Sequence, residues 1–155
     1  MKNYYTTIEQ SKKLFNAGLD PNTADMCWGI DDETLQYNCT PYPLPWRGYT
    51  AKQFYMPCWS IGALLEIVPQ SLMNNRYIFV VEKVQGSNYL VGYYDTKSES
   101  CEDIDYYISF CGKSLVDILC MLILYMLDVN KRKERHQDMV DSFAIGIELL
   151  KQQKS

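Results

Sequence analysis

Residues 27–57 carry the side chains best suited to hold a ligand. Positions 46–49 read Trp-Arg-Gly-Tyr, which places an indole, a guanidinium and a phenol around one glycine. Aromatic rings stack on planar bases, and a guanidinium pairs with phosphate. The predicted ligand-binding residues are Trp46, Arg47, Tyr49, Tyr42 and Trp28. In the alternative interpretation, the tryptophans anchor an irregular loop to the core.

A basic run at 131–136 is a second candidate site. It follows an apolar stretch and contains the single histidine of the chain. The residues predicted to bind phosphate there are Lys131, Arg132, Lys133, Arg135 and His136. The alternative is that these cations complement the dipole at a helix C-terminus and keep the junction soluble.

Residue counts weigh against catalysis and against a metal site. One histidine excludes any mechanism or metal site that needs two. None of the six cysteines lies two to four residues from another, the spacing that places a pair of thiolates on zinc. The glycines are scattered singly, without a phosphate-binding loop. We therefore predict no metal, no cofactor and no enzymatic activity; an enzyme with an unrecognised site remains the last alternative.

Length and charge restrict the class of protein. A chain of 155 residues with 47% hydrophobic and 22% charged residues is predicted to fold as one domain. Its pI near 5.0 argues against binding long nucleic acid. The N-terminus is followed by a polar helix pattern instead of an apolar signal region. We expect reduced cysteines and a cytoplasmic location.

Capping and proline signals organise the first half of the chain. Thr6 and Glu9 have the spacing of a capping box, which predicts a helix that ends at Gly18. Apolar residues on one face predict a second helix at 61–68. Alternating prolines at 41–45 should keep that stretch extended and out of the interior of a sheet.

The second half predicts a hairpin, a third strand and two helices. Residues 77–84 and 89–94 flank a turn signal, and 104–110 alternates apolar and polar residues. An apolar helix is predicted at 115–130 and an amphipathic one at about 134–153. At about thirteen residues, the most apolar stretch is too short to cross a membrane. The predicted class is α+β, with a small antiparallel sheet of three or a few more strands packed against three to four helices.

The last helix carries a heptad-like stripe formed by Val140, Phe143, Ile147 and Leu150. The stripe could cover the apolar helix within one chain or pair with a second subunit. We predict a single domain at 1–130, a C-terminal amphipathic extension at 131–155, and self-association into a homo-oligomer.

Two passages carry a resemblance to other proteins: residues 57–69 (PCWSIGALLEIVP) and residues 7–26, with TIEQSKKL followed by AGLDPNTADM. In these passages the chain resembles a family of small uncharacterised proteins from gut Bacteroides, their prophages and phages. The family has no assigned activity or catalytic residues. The resemblance implies a phage or mobile-element accessory protein that acts in the bacterial host cytoplasm.

These observations give one leading hypothesis and one main alternative. The first is a non-catalytic binding protein that sequesters a small nucleotide-derived signal of host immunity. The alternative is a protein-protein interaction module that inhibits or recruits a host or phage protein through the aromatic surface or the stripe at 140–150.

Overall fold

Three helices and two antiparallel sheets make up the described part of the chain, residues 4–30, 33–37, 40–43, 56–97 and 106–131 of a computed structural model. The helices are α1 (Ile8–Ala17), α2 (Ile61–Ile67) and α3 (Leu115–Lys131). The strands are β1 (Met26–Trp28), β2 (Tyr42–Pro43), β3 (Met56–Cys58), β4 (Ser71–Leu72), β5 (Tyr77–Val84), β6 (Asn88–Asp95) and β7 (Tyr106–Gly112). The predicted α+β class is confirmed.

Helix α1 begins one residue later than the predicted capping box. The N-cap is Thr7: its hydroxyl accepts from the Gln10 N–H at 3.2 Å, and the Gln10 side chain accepts from the Thr7 N–H at 2.9 Å. The predicted pair of Thr6 and Glu9 is wrong, because the buried Thr6 hydroxyl accepts instead from the backbone N–H of Trp59 at 3.0 Å. Gly18 ends the helix as predicted, with a φ of +100°.

Helix α2 follows the predicted pattern. The Ser60 hydroxyl caps it by accepting from the Ala63 N–H at 3.2 Å. The carboxylate of Asp25 holds Ser60 in place by accepting from its backbone N–H at 2.9 Å. The helix ends at Ile67, two residues before Pro69.

The larger sheet has the strand order β4-β5-β6-β7, and every pair in it is antiparallel. The predicted hairpin is confirmed in β5 and β6, with Val84 opposite Asn88 at the turn. Strand β7 occupies the predicted third strand from residue 106 onward, while residues 104 and 105 lie outside the described part. A bulge between Tyr93 and Tyr94 leaves Tyr107 as the extra residue of β7, and its ring stacks on Tyr77 at 4.4 Å.

Helix α3 covers one face of this sheet and forms the core with it. Val116, Leu119 and Leu122 are fully buried, as expected for a helix that is apolar on most sides. The fully buried Tyr93 donates its hydroxyl to the carbonyl of Pro69 at 2.7 Å. No helix in the described ranges is long and apolar enough to cross a membrane.

The smaller sheet has the order β2-β1-β3, so β1 lies between two short outer strands. Tyr42 is opposite Cys27, and Trp28 is opposite Met56. Pro43 lies on an outer strand, the position in a sheet that tolerates a residue without a backbone donor.

Candidate functional site

Two of the five predicted ligand-binding residues lie in the smaller sheet, Trp28 in β1 and Tyr42 in β2. Tyr42 pairs with Cys27, and successive side chains along a strand alternate between faces. Trp28 and Tyr42 therefore belong to opposite faces of the sheet. Trp46, Arg47 and Tyr49 lie outside the described residues. The structure thus brings Trp28 and Tyr42 onto neighbouring strands but not onto one face.

Trp28 combines a buried ring with an unused hydrogen-bond donor. Only 5% of the residue is exposed, and the Tyr5 ring contacts it edge-on, with 5.8 Å between centroids and 75° between planes. Its indole Nε1 is buried and has no hydrogen-bond partner among the described residues. A buried donor without a partner costs about 1–3 kcal/mol. Trp28 therefore serves as a core anchor and also offers an N–H to an acceptor.

A third aromatic ring lies opposite the extension of β1, and a cation lies beside that ring. Ile30, two residues beyond Trp28, forms an isolated bridge with Tyr37. The ammonium of Lys12 lies 5.1 Å from the centroid of the Tyr37 ring. Such a cation–ring pair contributes about 0.5–1 kcal/mol at an exposed position. We call Tyr5, Trp28 and Tyr37 the aromatic cluster.

Sequence reasoning missed Tyr5 and Lys12 as members of this region. Both come from the first helix and its approach, far along the chain from Trp28. No local signal in the sequence joins them to Trp28, because Tyr5 precedes the N-cap of α1 and Lys12 lies within that helix. Only the packing of this N-terminal segment against β1 and β3 brings them near the aromatic-proline segment.

The residues on either side of segment 44–55, which itself lies outside the described residues, belong to the smaller sheet. Strand β2 ends at Pro43, opposite Met26, and β3 begins at Met56, opposite Trp28. Pro43 and Met56 are roughly 12 Å apart, given two strand spacings across the sheet and two residues along it. The strands that precede and follow the predicted Trp-Arg-Gly-Tyr group in the sequence therefore both pair with the strand that carries Trp28.

The other predicted site residues lie at or beyond the end of α3. Lys131 is the last residue of that helix. Two sets lie outside the described part of the chain: the remaining basic residues Arg132, Lys133, Arg135 and His136, and the stripe residues Val140, Phe143, Ile147 and Leu150.

Four cysteines are free thiols in the described residues, and three of them are buried: Cys27, Cys58 and Cys120. Burial raises the pKa of Cys58 and that of Cys120 to about 12, from an ordinary value of 9.0. Such thiols are protonated at neutral pH and are weak nucleophiles. Within the described ranges, no three or more His, Cys, Asp or Glu residues are grouped to hold a metal.

The buried thiols predict a loss of stability at alkaline pH. Above about pH 9 the unfolded chain releases the thiol protons of Cys58 and Cys120, whereas the folded chain keeps them up to about pH 12. The free energy of unfolding should therefore fall by up to about 1.4 kcal/mol per pH unit for each thiol in this window. Urea unfolding under reducing conditions at pH 7.5, 8.5, 9.5 and 10 measures the slope.

Two variants distinguish the effect of the buried thiols from that of other groups that lose a proton at alkaline pH. In Cys58→Ala/Cys120→Ala the slope above pH 9 should be clearly shallower than in the wild type. Cys111→Ala, which removes an exposed thiol, should keep the wild-type slope. Equal slopes in all three proteins would contradict the assignment to the buried pair.

The chain matches no protein-family model, no curated protein and no solved structure. Its function is therefore inferred from the aromatic cluster and from the two strands that precede and follow segment 44–55.

Proposed function

We propose that the protein is a non-catalytic binding protein for a small nucleotide-like ligand, held between the aromatic cluster and the segment 44–55. The observation that carries the proposal is that the strands before and after that segment both pair with the strand of Trp28, whose buried N–H has no partner in the described ranges. In this proposal the protein is a phage or mobile-element accessory that sequesters a nucleotide-derived immune signal in the bacterial host cytoplasm.

Each side chain has a distinct task in such a site. Trp46 and Tyr49 stack on the base, and Arg47 pairs with a phosphate in bidentate geometry. The indole N–H of Trp28 donates to a carbonyl or ring nitrogen, which removes the cost of an unpaired donor. Lys12 supplies a second positive charge. Tyr42 lies on the opposite face of the smaller sheet. Its strand, β2, is an outer strand of that sheet, so a ligand could extend around the edge from one face to the other.

Two of the described cysteines are poor candidates for covalent chemistry on such a ligand. Burial keeps the thiols of Cys58 and Cys120 protonated, which removes them as nucleophiles at neutral pH. A binding protein needs only complementary shape and charge at its site, and its ligand leaves chemically unchanged.

A thermal-shift panel tests the proposal. Purified protein is heated with cyclic dinucleotides, larger cyclic oligonucleotides and ADP-ribose derivatives, each at about 1 mM. A ligand at one hundred times its Kd adds about 2.7 kcal/mol to the free energy of unfolding. For a chain of this length, that raises Tm by about 5–10 °C. The ligand recovered after heat denaturation should have its original mass, which distinguishes binding from turnover.

Matched variants assign the effect to the proposed residues. Trp46→Ala and Arg47→Ala should lose most of the ligand-induced rise in Tm. The controls are Phe15→Ala and Lys83→Ala, which truncate an exposed ring on α1 and an exposed cation on β5 and should keep it. If no member of the panel raises Tm, the nucleotide proposal is wrong. The alternative of docking to a protein through Val140, Phe143 and Ile147 would then be tested by pull-down with those residues changed to serine.

A further inference from the structure

The two faces of the larger sheet have different surroundings. Tyr77 and Tyr93 belong to the buried core, Phe79 packs against it, and the ring of Phe110 contacts that of Tyr125 in α3. These side chains mark the face that packs against α3. Because successive side chains of a strand alternate between faces, the residues between them lie on the other side, which we call the far face. Its apolar residues on β5 and β6 are Ile78, Val80, Val84, Leu90 and Tyr94.

The far face is apolar, and the described core does not cover it. All five of these side chains are half-buried, yet none belongs to the core or packs against it. Glu82 is the one charged residue that β5 and β6 place among them. The solvated side of an antiparallel sheet normally carries polar residues, so an apolar far face indicates a further layer. The three described helices all contribute to the core, and that layer comes from elsewhere.

Among the longer stretches outside the described residues, the C-terminal one has the sequence to form this layer. Residues 98–105, between β6 and β7, are acidic and unsuited to an apolar surface, with Glu99, Glu102, Asp103 and Asp105. Residues 44–55 lie between two strands of the smaller sheet. Residues 132–155 contain the apolar stripe at 140–150, whose side chains need a surface to cover them.

The predicted helix at 134–153 and the far face have similar dimensions. A helix of that length spans about 30 Å. Strands β5 and β6 have eight residues each, which span about 26 Å. The stripe from 140 to 150 spans about 15 Å along its helix, and the apolar positions from 78 to 84 span about 20 Å along β5. The whole stripe therefore fits on the far face.

The connection after α3 is long enough to reach the far face. Helix α3 packs on the core side of the sheet and ends at Lys131. A helix on the far face lies two layer spacings away, about 20 Å, and residues 132–139 span up to about 26 Å when extended. The exposed side of α3 is less suitable for the stripe, because Asp117 and Asp128 lie there with Met121.

We propose that residues 132–155 fold back over the far face of their own chain and bury the stripe against Val80, Leu90 and Tyr94. The larger sheet then lies between α3 and a C-terminal helix, so both of its faces are covered. Because the segment is tethered to the sheet, its effective concentration there exceeds that of a separate molecule. The stripe is then occupied and does not bind another protein. This docking does not depend on the proposed nucleotide site.

Amide hydrogen exchange of the full chain tests the docking. In the wild type, the amides of residues 140–150 should exchange more slowly than those of an unfolded peptide. Val80→Asp places a charge under the docked segment and should raise their exchange rates at least about tenfold. Val81→Asp is the matched control, because the next residue of β5 lies on the opposite face and is 40% exposed. It should leave residues 140–150 protected. Circular dichroism checks that both variants fold.

Nuclear Overhauser effects in the wild type give a readout that needs no variant. The ring protons of Phe143 should show contacts to methyl groups of Val80 or Leu90. In a mixture of ring-labelled and methyl-labelled copies, contacts between copies would mean that a second copy supplies the segment, which overturns the proposal. Unprotected amides at 140–150 in the wild type also overturn it. So does equal protection of these amides in folded Val80→Asp and Val81→Asp.

Discussion

Gly92→Ala should lower the free energy of unfolding by about 3 kcal/mol and Tm by about 10 °C. Gly92 lies in β6 between Val80 of β5 and Ser109 of β7. A Cβ at this position would overlap the carbonyl oxygen of Ile108 and lie 2.8 Å from Ser109 Cα. Both contacts are with backbone, which cannot rotate away as a side chain can, so β6 and β7 would have to separate. Thermal unfolding followed by circular dichroism measures the loss.

Gly62→Ala is the matched control. Gly62 lies in the first turn of α2, where a Cβ would meet only Ser60 Oγ, at 3.5 Å. Alanine is the better helix former by up to about 1 kcal/mol, so Tm should stay the same or rise. A Gly92→Ala protein with the Tm of the wild type would mean that β6 and β7 do not approach as closely as described.

Trp59→Ala should cost about 4 kcal/mol, enough to leave a large fraction of a marginally stable chain unfolded at 37 °C. The side chain is fully buried, and its indole N–H donates to the Thr23 hydroxyl at 3.0 Å. Its backbone pairs with Thr6 through two hydrogen bonds, at 2.9 and 3.0 Å. Removing the ring leaves a cavity where the N-terminal segment, the turn at Pro21–Thr23 and α2 meet. Urea unfolding gives the change in free energy.

Two further substitutions divide the contribution of Trp59. Trp59→Phe keeps most of the buried area and loses the bond to Thr23, so it should cost clearly less than Trp59→Ala. Phe15→Ala truncates an aromatic side chain that is 44% exposed. It should therefore lower the free energy of unfolding by well under about 1 kcal/mol. Comparable losses in Trp59→Ala and Phe15→Ala would contradict the central position of Trp59.

The elements that the sequence predicted correctly are those with a local signal. A left-handed glycine marks the end of α1, a serine cap marks the start of α2, and alternating residues define the hairpin of β5 and β6. The capping box was misplaced because Thr6–Glu9 and Thr7–Gln10 have the same spacing. The choice between them depends on a tertiary contact, the burial of Thr6 against Trp59, which no local pattern contains.

Short strands escaped prediction for a related reason. Strands β1 to β4 have only two or three residues each, too few to show a period of two. The turn after β4 also lacks the usual glycine: Met73, Asn74 and Asn75 all have left-handed backbone, with φ of 49°, 53° and 67°. Asparagine tolerates that region, whereas methionine seldom enters it, so the residue types gave little indication of the turn.

The candidate site was predictable in part. The aromatic-proline composition identified Trp28 and Tyr42, but the register that sends them to opposite faces exists only once β1 pairs with β2. Tyr5 contacts Trp28 because residues 4–6 pair with Trp59 and Ser60. The paired residues are more than fifty positions apart in the chain. Contacts at such separation are set by the fold as a whole.

The division of strands between two sheets has a consequence for the order of folding. The larger sheet joins neighbours in the chain, with β5, β6, β7 and α3 in succession, so it closes short loops. The smaller sheet joins three strands of two or three residues each, which are spread over residues 26–58. Closing the loops between them costs chain entropy, and few hydrogen bonds offset that cost. We expect the smaller sheet to assemble last and to open first in native-state hydrogen exchange. A ligand bound to the smaller sheet would make this local opening less frequent. Its binding would therefore be detected as slower amide hydrogen exchange in β1 to β3 before it altered global unfolding.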